Sequence, residues 1–147
     1  MDAKLLVVTP PERNPALNAP GAKVTVLASI TDTNGYAVTF QQGGIGVGPP
    51  PHFHDWAESF YVLKGTVEFT CAGKTTQCAA GTFVHVPAGT VHSFHFTAGG
   101  GEMLELTGQG SLAPQMFTAI NNEISPGPPD MARVLAVLKQ NGVTVTA

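Results

Sequence analysis

Three histidines and a glutamate stand at short, regular spacing in the middle of the chain. His52-Phe53-His54-Asp55-Trp56-Ala57-Glu58 forms one run, and His92 follows a Pro87-Ala88-Gly89 turn. Imidazole nitrogens and a carboxylate oxygen are donors that first-row divalent metals accept. Side chains alternate faces along a strand, so His52 and His54 can share a face, and a neighbouring strand can bring in His92. Three neutral imidazoles and one carboxylate carry one net negative charge, which a divalent ion reverses. Such a centre draws an enolate or phenolate oxygen and, with a redox-capable ion, can exchange electrons with O2. Four protein donors leave two positions open in an octahedral site, and Fe, Mn, Ni, Co and Zn all tolerate the set. A lone histidine on an apolar face is more often a hydrogen-bonded core residue. Four donors at these spacings favour one divalent transition metal. A mixed His/Glu set favours an open site over a closed structural one built from tetrahedral Cys and His.

The rest of the chain must hold these groups. Its 147 residues suit one domain with a real core, and 43% apolar against 12% charged residues excludes a disordered, solvating chain. A net charge of −3 with no basic block gives no electrostatic footprint for nucleic acid or an anionic membrane. No run approaches a membrane span, and the apolar stretch Leu5 to Val8 is too short for a signal-peptide core, so a cytoplasmic protein is expected. The 17 glycines and 12 prolines point to many turns and a β-rich fold.

Strands are expected at Lys23 to Ser29, Tyr36 to Gln41, His52 to His54, Ser59 to Leu63, Thr66 to Cys71, Thr75 to Ala79, Thr82 to Val86, Val91 to Phe96 and Glu102 to Thr107. Asp32 to Gly35 and Lys64-Gly65 read as turns, and Ala98 to Gly101 as a flexible connection. The Pro-rich first twenty residues are expected to wrap the surface. Pro114 to Ile120 reads as a short helix opened by its proline. Pro126 to Pro129 is a breaker cluster, and Met131, Val134, Leu135 and Leu138 then form a helical stripe that Asn141-Gly142 stops. The expected fold is all-β: a small antiparallel jelly-roll barrel, about 23–108, with a helical tail, about 112–142. Cys71 and Cys78 sit in one hairpin whose tight turn pairs Cys71 with Thr75 or Thr76, so free thiols are expected rather than a disulfide.

The spacings form two blocks. Gly46, five residues, His52, one, His54, three, Glu58, six, Gly65 is the first. Gly81, five, Pro87, one, Gly89, two, His92 is the second. Gly46 to Phe96 therefore resembles the cupin superfamily, whose two motifs have these spacings and this order. The resemblance implies a double-stranded β-helix barrel and puts His52, His54, Glu58 and His92 on the family's metal ligands. The second motif usually closes with Asn four residues after its histidine; Phe96 stands there, which implies a more apolar wall near the site.

Parity extended from the ligands nominates Phe60 and Phe94 as pocket lining, with Val62 and Phe96 as core. Tyr36, Phe40 and Met103 are weaker wall candidates. His85 and His95 are expected at the surface or an interface. Glu105 shares parity with Met103; facing inward it would be a second acid/base group, and a solvated face is the preferred reading. Trp56 is expected at the rim.

The layout is similar to single-domain quercetin dioxygenase-like cupins. That resemblance implies a dioxygenase in which a small enol- or phenol-bearing aromatic substrate binds through its oxyanion, Glu58 takes the hydroxyl proton, and O2 attacks the electron-rich carbon. Two other classes stay open: a non-redox metal-dependent isomerase or lyase, and a non-catalytic small-molecule-binding module. A homodimer is expected, because the family commonly pairs through barrel edges.

Overall fold

Runs of β-branched and aromatic residues between glycine and proline turns form nine strands, all antiparallel where paired, in a computed structural model that describes residues 3–124 and 127–146. Met1, Asp2 and Pro126 of the breaker cluster lie outside the described residues. The strands are β1 (Leu17–Ala19), β2 (Ala22–Ala28), β3 (Ala37–Gly43), β4 (His52–Phe53), β5 (Glu58–Cys71), β6 (Lys74–Ala79), β7 (Phe83–Val86), β8 (His92–Thr107) and β9 (Thr144–Val145). One path of pairing runs β1-β2-β3-β8-β4-β9, and β5 pairs with β6, β7 and β8. This is an all-β barrel curled from one sheet.

Lys64-Gly65 and Ala98–Gly101, expected as a turn and a loose connection, lie inside long strands instead. The β5–β8 register shifts between Val62 and Lys64 and again between Gly65 and Val67. The strands bend there rather than end, as bulged pairs do. Gly65 makes the bend possible: its φ is +77°, and a methyl on it would stand 2.2 Å from the Gly100 carbonyl oxygen. Each half of β8 then serves a different part of the barrel. Ala37 to Gly43 pairs with its C-terminal half, and His52 with its first residue, His92.

The expected turn at Asp32 is a short helix, α1 (Ile30–Thr33). Ser29 Oγ accepts from the Asp32 N–H at 3.2 Å and the Asp32 carboxylate from the Ser29 N–H at 2.9 Å, a reciprocal cap that stabilises one helical turn. β1 arises in the Pro-rich segment expected only to wrap the surface. Cys71 pairs with Lys74, one or two residues short of the expected partners, and both cysteines are free.

The core fills one end of the barrel. Phe60, Val62, Val67, Phe96 and Met103 are sealed from solvent. Phe60 lies 5.0 Å from Phe69 and 5.3 Å from Phe94, ring centre to ring centre, in tilted geometries. The tail forms α2 (Ala113–Glu123) and α3 (Met131–Gln140), which pack on each other and across the other end. Asp130 caps α3, accepting from the Ala132 and Arg133 N–H groups. The stripe is rotated from its expected line: Val134 and Val137 are buried while Leu135 faces out. Among the described residues no helix is long and apolar enough to cross a membrane.

Candidate metal centre

The segment before the first histidine is docked on β8. The Gly46 N–H donates to the Phe96 carbonyl at 2.7 Å, and the Phe96 N–H to the Val47 carbonyl at 2.9 Å. Gly48 touches the backbone so closely that a methyl there would lie 1.8 Å from the Phe94 carbonyl oxygen. This delivers Pro49–Pro51 to the barrel mouth and sets the register in which His52 faces His92. On its other side β4 is held by β9, with His52 opposite Val145. His54 follows β4 by one residue, and Glu58 and His92 are the first residues of β5 and β8.

All four side chains are buried, and one donor atom from each lies within 4.8 Å of the other three. Every imidazole is oriented through Nδ1, which donates to a main-chain carbonyl: His52 to Pro50 at 2.8 Å, His54 to Trp56 at 2.9 Å and His92 to Thr90 at 2.8 Å. A carbonyl can only accept, so each neutral ring keeps its lone pair on Nε2. Nε2 of His54 and Nε2 of His92 both stand 2.9 Å from Glu58 Oε2. Lone pairs at that separation repel unless a proton or a cation lies among them. One divalent ion would satisfy the carboxylate and the imidazoles together, so the donor set fits a metal.

The electrostatics agree. Burial opposes charge on Glu58, yet hydrogen bonds with His54, His92 and Glu105 hold its carboxyl well below the usual range. Burial, followed by the neighbouring His92, lowers His52 to about 4, leaving it a neutral donor. Burial pulls His92 down, but its hydrogen bond with Glu58 and the Glu58 charge raise it by more.

Beside the cluster lies a cavity of about 320 Å³. Its wall is largely apolar, with Trp56, Phe94 and Phe96 from the barrel and Met116, Ile120 and Val134 from the two helices. Two polar side chains interrupt it away from the cluster itself, Gln41 and Glu105.

Residues 37–106 match the family model described as "Cupin domain". A quercetin 2,3-dioxygenase of Bacillus subtilis is 32% identical over 94 residues, which cover 63% of this chain and 26% of that protein. The match thus spans about a quarter of that relative's length. Among solved structures, KdgF from a Halomonas species superposes with a TM-score of 0.65 at 18% identity, covering 71% of this chain and 94% of that one. The polyketide cyclase RemF from Streptomyces resistomycificus gives 0.61 at 22% identity, covering 71% and 80%. Residues 37–106 are a cupin domain.

The barrel sorts the sequence-nominated wall residues differently from the parity argument. Phe94 and Phe96 belong to the hydrophobic core and also line the cavity. Phe60 and Met103 are fully buried in the hydrophobic core instead, because β5 and β8 carry them away from the cluster toward Phe69 and Val67. Tyr36 precedes β3 and is half exposed. Phe40 faces outward, beneath the Arg13 guanidinium at 5.0 Å. The alternation on β3 runs through Ala37, Thr39 and Gln41 as the inward set. Reading the large aromatic as the inward residue inverted that strand; two polar side chains at one parity were the signal.

Glu105, preferred as a solvated group, is buried. It accepts from Thr39 Oγ1 at 3.1 Å and lies beside Glu58. Burial, then the adjacent Glu58 charge, pushes its carboxyl well above the ordinary range. Trp56 is not at the rim: it is 5% exposed and stacks on His54 at 4.3 Å with 7° between the planes. The chain turns at Asp55, which folds the indole back over the ring whose Nδ1 its own carbonyl accepts. His85 and His95 lie outside the cluster, His85 exposed and bonded to Ser59 at 2.8 Å, His95 beside Glu68 at 3.6 Å. The helical roof and β9 had no counterpart in the sequence argument about the site.

Proposed function

We propose that this protein is a metal-dependent enzyme of small-molecule chemistry, a dioxygenase acting on an enol- or phenol-bearing aromatic substrate. The observation that carries the reading is the convergence of three imidazoles and one carboxylate at the edge of an apolar, aromatic-walled cavity. His52, His54, Glu58 and His92 would hold one divalent ion, which supplies positive charge for an oxyanion and, when redox-active, a partner for O2. The protein's own groups do the rest. Phe94, Phe96 and Trp56 clamp a flat ring and exclude water, and the roof of α2 and α3 covers it. Glu58, held as a carboxylate, accepts the hydroxyl proton as the substrate oxygen docks. The neighbouring Glu105 is placed to exchange that proton with it.

The same Glu58–Glu105 contact favours a second reading, a non-redox isomerase or lyase that moves protons between two carboxyls. Oxygen consumption separates the two. The metal-loaded protein is given a flavonol or a simple phenol in an oxygen electrode, and products are analysed in parallel. Uptake of one O2 per substrate, lost in Glu58→Gln with the metal still bound, supports the dioxygenase. Product formation without uptake supports the second reading. Neither product nor uptake with any redox-capable ion overturns both.

A further inference from the structure

Gln41 is a buried polar side chain that the chemistry above leaves unused. It is 4% exposed, lies on the inward face of β3 and lines the cavity. Its orientation is locked by its neighbours. The Thr39 hydroxyl donates to Glu105 Oε1 at 3.1 Å, so its oxygen is free to accept, and the Gln41 amide N–H donates to it at 3.3 Å. The Gln41 side chain also lies beside Glu105. Its bond to Thr39 uses the amide nitrogen, and no hydrogen bond from the described residues reaches the amide oxygen. The residue lines the cavity, so a ligand that brings a donor to that oxygen gains a hydrogen bond there.

The distance to the cluster is short. Glu105 accepts from Thr39 and stands beside Gln41 on one side and Glu58 on the other, so a single carboxyl separates the amide from the cluster. We infer that Gln41 is a specificity residue whose side-chain oxygen accepts a hydrogen bond from a second hydroxyl of the substrate, next to the one that docks at the cluster. The substrate class is then a vicinal diol on a flat, otherwise apolar ring. This rests on the reading that a substrate oxygen docks at the cluster. Elsewhere the cavity wall is largely apolar, so most hydroxyls added far from the pair lose water without gaining a partner.

The test uses binding rather than turnover. The full chain is loaded with Zn²⁺, and phenol, benzene-1,2-diol and 2-methoxyphenol are titrated in by calorimetry, for wild type and Gln41→Met. The variant keeps the side-chain length and removes the acceptor. Expected for wild type is a preference of about tenfold for the diol over the other two ligands, the worth of one good neutral hydrogen bond. In Gln41→Met the preference shrinks to roughly twofold or less, with phenol affinity unchanged. Should Gln41→Met fail to fold, Thr39→Val, which unlocks the amide, is expected to weaken the preference in the same direction. A diol preference that survives in the folded variant means both hydroxyls chelate the ion, and overturns the proposal. Equal affinity for the three ligands in wild type also overturns it, while the docking reading stands. Failure of the chain to take up Zn²⁺, or of all three ligands to bind, removes the docking reading and this inference with it.

Discussion

Stripping the protein with a chelator and adding back a divalent transition ion should raise its melting temperature, by an amount that can be worked out. In the stripped state the Nδ1 protons of His52, His54 and His92 are committed to carbonyls, and the Nε2 atoms of His54 and His92 stand 2.9 Å from Glu58 Oε2. Folding therefore builds a pre-aligned donor set that the unfolded chain does not have. An ion that binds this set and not the unfolded chain stabilises the fold by about 2.7 kcal/mol at a hundred times its dissociation constant. For a chain of 147 residues each kcal/mol is worth ~2–4 °C, so the expected rise is ~5–11 °C. Differential scanning calorimetry with Mn²⁺, Fe²⁺, Co²⁺, Ni²⁺ and Zn²⁺ in turn, at ion levels fixed from a separate affinity measurement, reads the shift directly. His92→Ala, which removes one donor, should lose most of it. If no ion moves the transition, or His92→Ala shows the full rise, the convergence of these four groups has been misread.

Three further outcomes are expected. Phe60→Ala removes a fully buried ring packed on Phe69 and Phe94 and should cost ~3–5 kcal/mol in urea unfolding; a loss below ~1 kcal/mol would contradict the core assignment. Gly48→Ala puts a methyl against the Phe94 carbonyl, so weaker ion uptake should accompany a lower melting temperature; wild-type values for both would show that this docking does not set the position of His52. Trp56 is the chain's one tryptophan and stacks on His54, so saturation with a paramagnetic ion should quench its emission; full ion occupancy by elemental analysis with unchanged fluorescence would refute the stacked geometry.

The cluster of four donors was legible because it is local. His52, His54 and Glu58 lie within seven residues, and the glycine and proline spacings that place His92 are themselves turn chemistry. The strands were legible for the same reason, as short alternating runs. What failed depends on partners distant in sequence. Gly65 and Gly100 look like chain breaks until Gly65 is seen admitting the Gly100 backbone and Gly100 that of Gly43. The inward face of β3 was read from Phe40, whose ring is covered by Arg13 on the outside, so hydrophobicity pointed the wrong way. Glu105 looked solvated because a buried carboxyl needs company, and Thr39, Gln41 and Glu58 come together with it only in the folded sheet. β9 is two residues long and exists because β4 offers it an edge.

The roof and the ligands come from separate parts of the chain. His52, His54, Glu58 and His92 ride on or beside barrel strands, while Met116, Ile120, Val134 and Leu138 reach the cavity from α2 and α3. The ion's holder and the guest's ceiling can therefore drift independently. A library confined to those four helical side chains should redraw which molecules the barrel admits while leaving its grip on the ion intact. The methionine among them, unbranched and pliable, is the natural place for such a redesign to begin.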